Sequence, residues 1–273
     1  MLPPIAYIGC KRREIKHIHD NQPIKFNKVV DLMGGSGCVV LSYVDTDKKI
    51  IYNEVNNELC ELFNTLKSKK KIDELIKCFE DNKNILCTED FFYKVYDKDI
   101  YYNPQFRIVY LSRMCMKGMI NTRKPNMKKN KITGINEIDR IINIENLKKK
   151  FSEYPSKIKR LKIYNKSYKD ILNKYKDDEN AFIYIDPPYL QKPSMNKDFY
   201  DVNILFDLGD LEYIIKVMRD KTTKAKIMLN IDYTGYTREM FKDLFRCCYP
   251  VEYNMSNNNK NIYTKYHIML CNY

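Results

Sequence analysis

The chain has 273 residues, of which 44% are hydrophobic and 30% are charged, a composition typical of a folded globular protein. No apolar run approaches the ~20 residues of a membrane span, and we expect no signal peptide, because the first apolar stretch is short and precedes its charges. Lysine and arginine number 48 against 35 acidic residues, a net charge of +13, which favours a polyanionic partner such as nucleic acid. Lysine-rich compositional drift is the alternative explanation.

The nine cysteines are an odd number and include no Cys-x-x-Cys pair. This pattern predicts reduced thiols in an intracellular compartment, the cytoplasm, with access to DNA. Cys247 and Cys248 are adjacent, and the histidines show no ligand spacing with them, so we expect no metal site.

The first third of the chain alternates strands and helices. The segment FNKVVDLMGGSGCVVLSYV predicts a strand over 28–32, a glycine turn and the start of a helix, and KKIIYNE (48–54) predicts a second strand. An amphipathic helix should follow, because Leu59, Leu62, Phe63 and Leu66 share one helical face. This order predicts a parallel α/β sheet.

Between residues 66 and 155 the chain becomes helical and basic, without β/α alternation. Strand patterns return at 160–168, 182–189 and 226–233 and in a terminal pair, and SNNNKN (256–261) predicts a hairpin loop. We therefore predict a discontinuous α/β catalytic domain, residues 1–65 and 156–273, interrupted by an inserted domain at 66–155.

The glycine turn has the composition of a ligand-binding loop. Glycines let the backbone approach a ligand closely, and helix amides face the same gap. Asp31 precedes the turn, and Glu54 ends the next strand, where an acid commonly binds ribose hydroxyls. The GxGxxG spacing is not met and no GKS or GKT occurs, so a nucleoside without phosphates, such as S-adenosylmethionine, fits better than a nucleotide. A plain tight turn with a solvent-facing acid is the alternative.

The segment AFIYIDPPYLQKP (181–193) predicts a buried strand that stops at two prolines, which cannot donate to a ladder. Asp186 and the Pro187 carbonyl can accept both hydrogens of an exocyclic amine, and Tyr189 offers a stacking face. Two acceptors would stabilise the positive charge that develops as the nitrogen attacks a methyl sulfonium. A base in a duplex must flip out to reach such a pocket. Taken alone, these four residues could be a strand-ending turn.

These segments, in this order, resemble the Dam-like N6-adenine DNA methyltransferases of the alpha group over nearly the whole chain. AYIGCK (6–11) resembles the family's Trp-x-Gly-Gly-Lys segment, VDLMGGSGCV its cofactor loop, and IIYNEVNNEL its Asp-x-Asn segment. The stretch 109–126 resembles the start of the family's DNA-recognition region, IDPPY matches the catalytic motif, and the last segments resemble the closing strands.

The resemblance implies a Rossmann-like S-adenosylmethionine-dependent methyltransferase sheet with an inserted, mainly helical target-recognition domain that acts on double-stranded DNA. It implies catalytic roles for Asp186, Pro187, Pro188 and Tyr189. The cofactor contacts that it implies are Tyr7, Gly9, Lys11, Asp31, Gly34, Gly35, Ser36, Gly37, Glu54, Asn56, Ser167 and Asp186.

Two positions depart from the family pattern. Ser167 stands where an acid usually contacts the cofactor's adenine, with Asp170 as a substitute if the strand ends later, and Ser112 replaces the Asn of the Asn-Arg pair.

A catalytically degenerate DNA-binding homologue therefore remains an alternative. So do the same chemistry on RNA adenine or on cytosine N4, although cytosine enzymes more often carry Ser at the position of Asp186. Protein-glutamine methyltransferases more often carry Asn there.

The inserted segment contains RKPNMKKNK (123–131), which holds five cations in nine residues. We predict that it faces DNA phosphates, with a solvated lysine loop as the alternative. Arg113 and Arg123 are candidate base readers. No nuclease signature occurs, so any restriction endonuclease partner would be a separate protein. The candidate DNA contacts are Arg107, Arg113, Lys117, Arg123, Lys124, Lys128 and Lys129.

Overall fold

The computed structural model describes residues 1–98, 103–115, 142–188, 206–233, 235–254 and 262–273. A seven-stranded sheet with the order β3-β2-β1-β4-β5-β7-β6 lies at its centre. The strands are β1 Lys28–Asp31, β2 Lys49–Asn53, β3 Lys162–Tyr164, β4 Ala181–Ile185, β5 Lys226–Asp232, β6 Phe245–Asn254 and β7 Ile262–Cys271.

The strand order reverses between β1 and β4. The chain first adds β2 and β3 on one side of β1 and then returns to place β4 and β5 on the other side, all in parallel. Beyond β5, β7 pairs antiparallel with both β5 and β6, and β6 forms the edge of the sheet. In such sheets ligands bind where the order reverses, outside the carboxyl ends of the strands. In this sheet Asp31 lies opposite Tyr184, two residues before Asp186.

Helices flank the sheet, and several begin at side-chain caps that satisfy free backbone amides. Ser68, Thr88 and Asn103 cap three helices of the inserted segment. The helices are α1 Ile15–Asp20, α2 Cys38–Leu41, α3 Asn57–Leu66, α4 Lys69–Asp81, α5 Glu89–Asp97, α6 Pro104–Met114, α7 Ile144–Ser152, α8 Tyr154–Lys157, α9 Tyr168–Tyr175, α10 Leu208–Arg219 and α11 Gly235–Met240, and a 3-10 turn spans Lys11–Arg13. Among the described helices, none combines the length and the apolar character that a membrane crossing requires.

Alternate strand residues face opposite sides of the sheet and form two cores. On one side, Val29 and Tyr52 pack with residues of α3 to α7, including Phe92 and Phe151. On the other side, Val30 and its neighbours pack against α9 and α10. The sheet is therefore covered on both faces, which confirms the predicted α/β class. The described helices of the inserted segment share a core with the sheet, and the domain boundaries at 65 and 156 remain a prediction.

The strand predicted over 160–168 is shorter than its pattern suggested. β3 ends at Tyr164 because Asn165 Nδ2 donates to the carbonyls of Glu54 and Val55, and Ser167 caps α9. These side-chain hydrogen bonds to the backbone compete with the hydrogen bonds of the β-ladder, so the strand ends early. The hairpin loop predicted at 256–261 lies outside the described residues, between β6 and β7.

Candidate active site

A cavity of about 360 Å³ lies at the carboxyl ends of β1, β2 and β4. Its volume is within the range of small-ligand sites. The glycine turn, the end of β2 and the residues after β4 all border it, so the structure brings the separate sequence motifs together. The predicted site residues that line it are Tyr7, Gly9, Lys11, Asp31, Gly34, Gly35, Ser36, Glu54, Ser167, Asp186, Pro187 and Pro188.

The glycine turn is tightly packed on the sheet. A Cβ added at Gly34 would lie 2.2 Å from a ring carbon of Tyr52, and one at Gly37 would lie 2.3 Å from the Phe63 ring. Gly37 also has a φ of 73°, which side chains rarely adopt. Gly37 shapes the turn and does not line the cavity, and the cofactor contact predicted there remains a prediction.

Glu54 is fixed in the cavity wall at the end of β2. Its Oε2 accepts a hydrogen bond from the Gly35 amide at 2.8 Å, and its Oε1 accepts one from the Asn56 amide at 2.9 Å. Burial raises the pKa of Glu54, and these amide bonds oppose the increase. The side-chain oxygen of Asn56 accepts from the Glu58 amide and caps α3, and Asn56 does not line the cavity, so the cofactor contact predicted there remains a prediction.

Asp31 and Tyr184 place unsatisfied polar atoms at the cavity. Among the described residues, Asp31 Oδ2 and the Tyr184 hydroxyl are buried without a hydrogen-bond partner. Burial, together with the negative charges of Asp186 and Glu54, raises the pKa of Asp31 to about 8. A buried polar atom without a partner is costly unless a ligand satisfies it. The cavity therefore suits a ligand that carries a cationic or hydrogen-donating group.

Asp186 follows β4 and faces the 3-10 turn. Lys11 Nζ lies 3.0 Å from Asp186 Oδ1. Burial raises the pKa of Asp186 to about 6, and the positive charge of Lys11 limits that rise. Asp186 is thus mainly ionised at neutral pH. Tyr189 lies outside the described residues, so its predicted stacking role remains a prediction.

The far end of the cavity lies where α9 begins. Ser167 Oγ caps α9 by accepting from the Lys169 amide at 3.2 Å and lines the cavity, whereas Asp170 lies in the first turn of α9 and does not. Two aromatic residues that were not predicted from the sequence, Tyr168 and Phe206, border this end with ring centroids 6.1 Å apart. Tyr168 could have been identified from the sequence, because it immediately follows Ser167, a predicted cofactor contact.

Arg107, a predicted DNA contact, forms an internal ion pair in the structure. Arg107 is only 7% exposed. Its guanidinium donates to both Glu58 carboxylate oxygens at 2.9 Å and to the carbonyls of Val95 and Tyr96. Arg113, by contrast, is exposed at the end of α6. The remaining predicted DNA contacts lie outside the described residues: Lys117, Arg123, Lys124, Lys128 and Lys129.

Three cations from different elements form a basic cluster: Arg12, Arg113 and Lys150. Burial and then the positive charges of Arg113 and Arg12 lower the pKa of Lys150 to about 8, whereas Cys10 and Glu153 oppose this shift. No described carboxylate forms an ion pair with any of them. Arg12 and Lys150 were not predicted from the sequence, because short runs of basic residues in a lysine-rich chain usually form solvated surfaces.

The reversed strand order, the antiparallel seventh strand and a cavity that joins a glycine turn to Asp-Pro-Pro define a Rossmann-like methyltransferase. The sequence model of the D12 class N6 adenine-specific DNA methyltransferase family matches residues 7–259. The chain belongs to this family of S-adenosylmethionine-dependent enzymes, which confirms the resemblance seen in its motifs. A search of curated proteins found no match.

Proposed function

We propose that the protein transfers a methyl group from S-adenosylmethionine to the N6 atom of an adenine flipped out of duplex DNA. The observation that carries this proposal is the shared cavity. The Asp186 carboxylate, the glycine turn and the acids Asp31 and Glu54 all border one space, at the point where the strand order reverses. Family membership supports the DNA adenine substrate.

The residues present fit the cofactor. Glu54 is held by two backbone amides and retains lone pairs that can accept from ribose hydroxyls. Asp31 Oδ2 is a buried acceptor without a partner and would pair with an ammonium group. Tyr168 and Phe206 supply an aromatic wall for a purine. When bound, the cofactor supplies an electrophilic methyl group on a positively charged sulfur.

Asp186 and Pro187 would hold the target amine. The ionised Asp186 accepts one amine hydrogen, and the Pro187 carbonyl accepts the other. This arrangement directs the nitrogen lone pair toward the methyl group, and the carboxylate stabilises the positive charge that develops on nitrogen. Lys11 keeps Asp186 ionised, which the acceptor role requires.

The basic cluster supplies a surface for DNA. The charges of Arg12 and Arg113 outweigh that of Glu153 at Lys150, and a DNA phosphate would offset the remaining repulsion among the three cations. All nine cysteines lie within the described residues and are free thiols, which supports a reducing compartment such as the cytoplasm.

We place any restriction endonuclease partner on a separate chain.

The proposal is tested with purified protein, labelled S-adenosylmethionine, unmethylated DNA and matched RNA. The products are digested to nucleosides and identified by mass spectrometry. We expect N6-methyladenine in the DNA. Methyladenine confined to RNA, or N4-methylcytosine, would contradict the proposed substrate. No label in either nucleic acid from folded protein would favour a degenerate DNA-binding homologue.

Cofactor affinity should depend on pH through Asp31. Because its pKa is raised to about 8, the free protein holds a proton on Asp31 below that pH and must release it to pair with a cation. We expect affinity to rise by up to about tenfold per pH unit as pH 8 is approached from below. Asp31→Asn should lose this dependence and bind about ten- to hundredfold more weakly.

Isothermal titration calorimetry between pH 6 and pH 9 measures this effect, and comparison with Asp31→Asn removes the ligand's own titration. Asp170→Asn is the matched control, because Asp170 is exposed on α9 and does not line the cavity. An equal pH dependence in wild type and Asp31→Asn would assign the cation contact to another residue.

Neutralising the basic cluster should reduce the salt dependence of DNA binding. For Arg113→Gln combined with Lys150→Gln, we expect the slope of log affinity against log salt to fall by about 0.9 for each lost phosphate contact. Fluorescence anisotropy with a labelled duplex at several salt concentrations measures the slope. Lys16→Gln is the control, because Lys16 is exposed and already paired with Asp20. An unchanged slope would remove this cluster from the DNA interface.

A further inference from the structure

A line of ionisable side chains, in which basic and acidic groups alternate, runs from the protein surface to Asp186. We call it the charge chain; its members are Lys265, Asp232, His267, Glu14, Lys11 and Asp186. The successive nitrogen–oxygen distances are 3.7 Å from Lys265 to Asp232, 3.4 Å from Asp232 to His267, 3.0 Å from His267 to Glu14, 3.7 Å from Glu14 to Lys11 and 3.0 Å from Lys11 to Asp186.

Glu14 is the centre of the charge chain. It is 3% exposed and does not line the cavity. Its Oε2 accepts from the Tyr249 hydroxyl at 2.6 Å, from His267 Nδ1 at 3.0 Å and from Asn230 Nδ2 at 3.2 Å. Burial opposes ionisation, but the His267 hydrogen bond and the charge of Lys11 outweigh it and lower the pKa of Glu14 to about 2. Glu14 is thus an ionised and firmly held carboxylate.

This arrangement restricts Lys11. A lysine side chain has a flexible four-carbon stem and an ammonium group with three rotatable donors. In this protein the ammonium lies between two carboxylates, Glu14 Oε1 and Asp186 Oδ1, and its side chain is only 5% exposed. Strands β5, β6 and β7 supply the groups that hold Glu14, so the sheet itself sets the position of Lys11.

Burying several charges is costly, and apolar residues of similar volume would often give a more stable core. The members of the charge chain come from four separate parts of the sequence, around residues 11–14, 186, 232 and 265–267, but meet directly behind the catalytic carboxylate. Stability alone does not explain such an arrangement, whereas a requirement for one orientation and one charge state of Asp186 does.

We propose that Glu14 and His267 are positioning residues for methyl transfer, which hold Lys11 against Asp186 and thereby keep that carboxylate ionised and directed into the cavity. This inference rests on the proposed function. Neither residue lines the cavity, so each positions Asp186 through Lys11, in addition to its direct electrostatic effect on the pKa of Asp186.

The pH profile of methyl transfer distinguishes a positioning role of Glu14 from a direct effect of its charge, because the two change the pKa of Asp186 in opposite directions. Loss of the Glu14 charge, with Lys11 still in place, lowers the pKa of Asp186 because a neighbouring negative charge is gone. Release of Lys11 from Asp186 raises that pKa, because burial is then less opposed. The other groups that influence Asp186, or that it influences, are Asp31 on β1, Tyr184 on β4, Tyr249 on β6 and His267 on β7.

The test is Glu14→Gln, which keeps the shape of the side chain and removes its charge. We expect the methyl-transfer rate at saturation to fall about tenfold or more, and the acidic limb of the pH profile to move to higher pH by about one unit. Cofactor affinity by calorimetry should change less than about threefold. A crystal structure of the variant should show Lys11 Nζ beyond hydrogen-bond distance of Asp186 Oδ1.

If the acidic limb of the Glu14→Gln pH profile moved to lower pH and the maximal rate were unchanged, the positioning role of Glu14 would be overturned. Glu239→Gln is the matched control, because Glu239 forms an exposed pair with Lys242, and it should behave as wild type. Wild-type protein that transfers no methyl group would overturn the proposed function together with this inference. Normal transfer by both wild type and Glu14→Gln would overturn the inference alone.

If Glu14→Gln does not fold, the double variant Lys11→Met/Glu14→Gln replaces it. This variant removes both charges of one ion pair and so leaves neither of them buried without the other. If Glu14 acts through Lys11, the double variant should show the rate and pH profile of Lys11→Met alone. A further loss of rate beyond Lys11→Met would contradict that route. His267→Gln, whose amide can still donate to Glu14, should retain more activity than His267→Leu, and equal activity in the two would exclude His267 from the positioning role.

Discussion

Asp186→Asn should lower the rate of methyl transfer by about 10²- to 10³-fold, the cost of removing one preorganised charge-stabilising group from an active site. Asparagine keeps the shape of the side chain but loses the negative charge that faces Lys11 and the amine. DNA affinity should stay within a few-fold, because the substituted atoms lie in the cavity. Single-turnover assays at saturating cofactor and DNA measure the rate, and fluorescence anisotropy measures the affinity.

The wild-type pH profile provides a second check on Asp186. Its raised pKa of about 6 means that the carboxylate is ionised above that pH and protonated below it. Because only the ionised form accepts from the amine, we expect transfer to decline as the pH falls through about 6. The acidic limb should be absent from the residual activity of Asp186→Asn. Near wild-type turnover in this variant would exclude the proposed mechanism.

Arg107→Met should lower the free energy of unfolding by about 3–5 kcal/mol, because it leaves the Glu58 carboxylate without its buried guanidinium partner. The side chains of Arg107 and Glu58 are 9% and 13% exposed, so solvent replaces little of this interaction. The variant also leaves the carbonyls of Val95 and Tyr96 without their donor. Urea denaturation followed by circular dichroism measures the loss.

The matched variant is Arg107→Met combined with Glu58→Met, which removes both charges and should recover part of the lost stability. The salt dependence of DNA binding should be unchanged in folded Arg107→Met, in contrast to the Arg113 and Lys150 variant. A reduced salt slope with little loss of stability would return Arg107 to the DNA interface.

Much of the catalytic scaffold follows from local sequence chemistry. The strand before Asp186 must end at Ile185, because Pro187 and Pro188 cannot donate to a ladder, and the structure ends β4 there. The buried face of α3 follows from 3.6-residue periodicity, and Leu59, Leu62 and Phe63 are fully buried as predicted. These features depend on near neighbours in the chain, so the sequence alone predicts them, and together they led to the family that the match confirms.

Side-chain partners distant in the chain were decided by the tertiary structure. Asn56 resembled a cofactor contact but caps a helix, and Arg107 resembled a DNA contact but pairs with a glutamate 49 positions away. The Glu14–His267 pair spans 253 positions and had no local signature. The sequence by itself determined where strands stop, which helical face is buried and which motifs carry the chemistry, since backbone hydrogen bonding and periodicity are local. Only the folded sheet decided which charges meet and which are buried, because its strand order brings remote segments to one cavity.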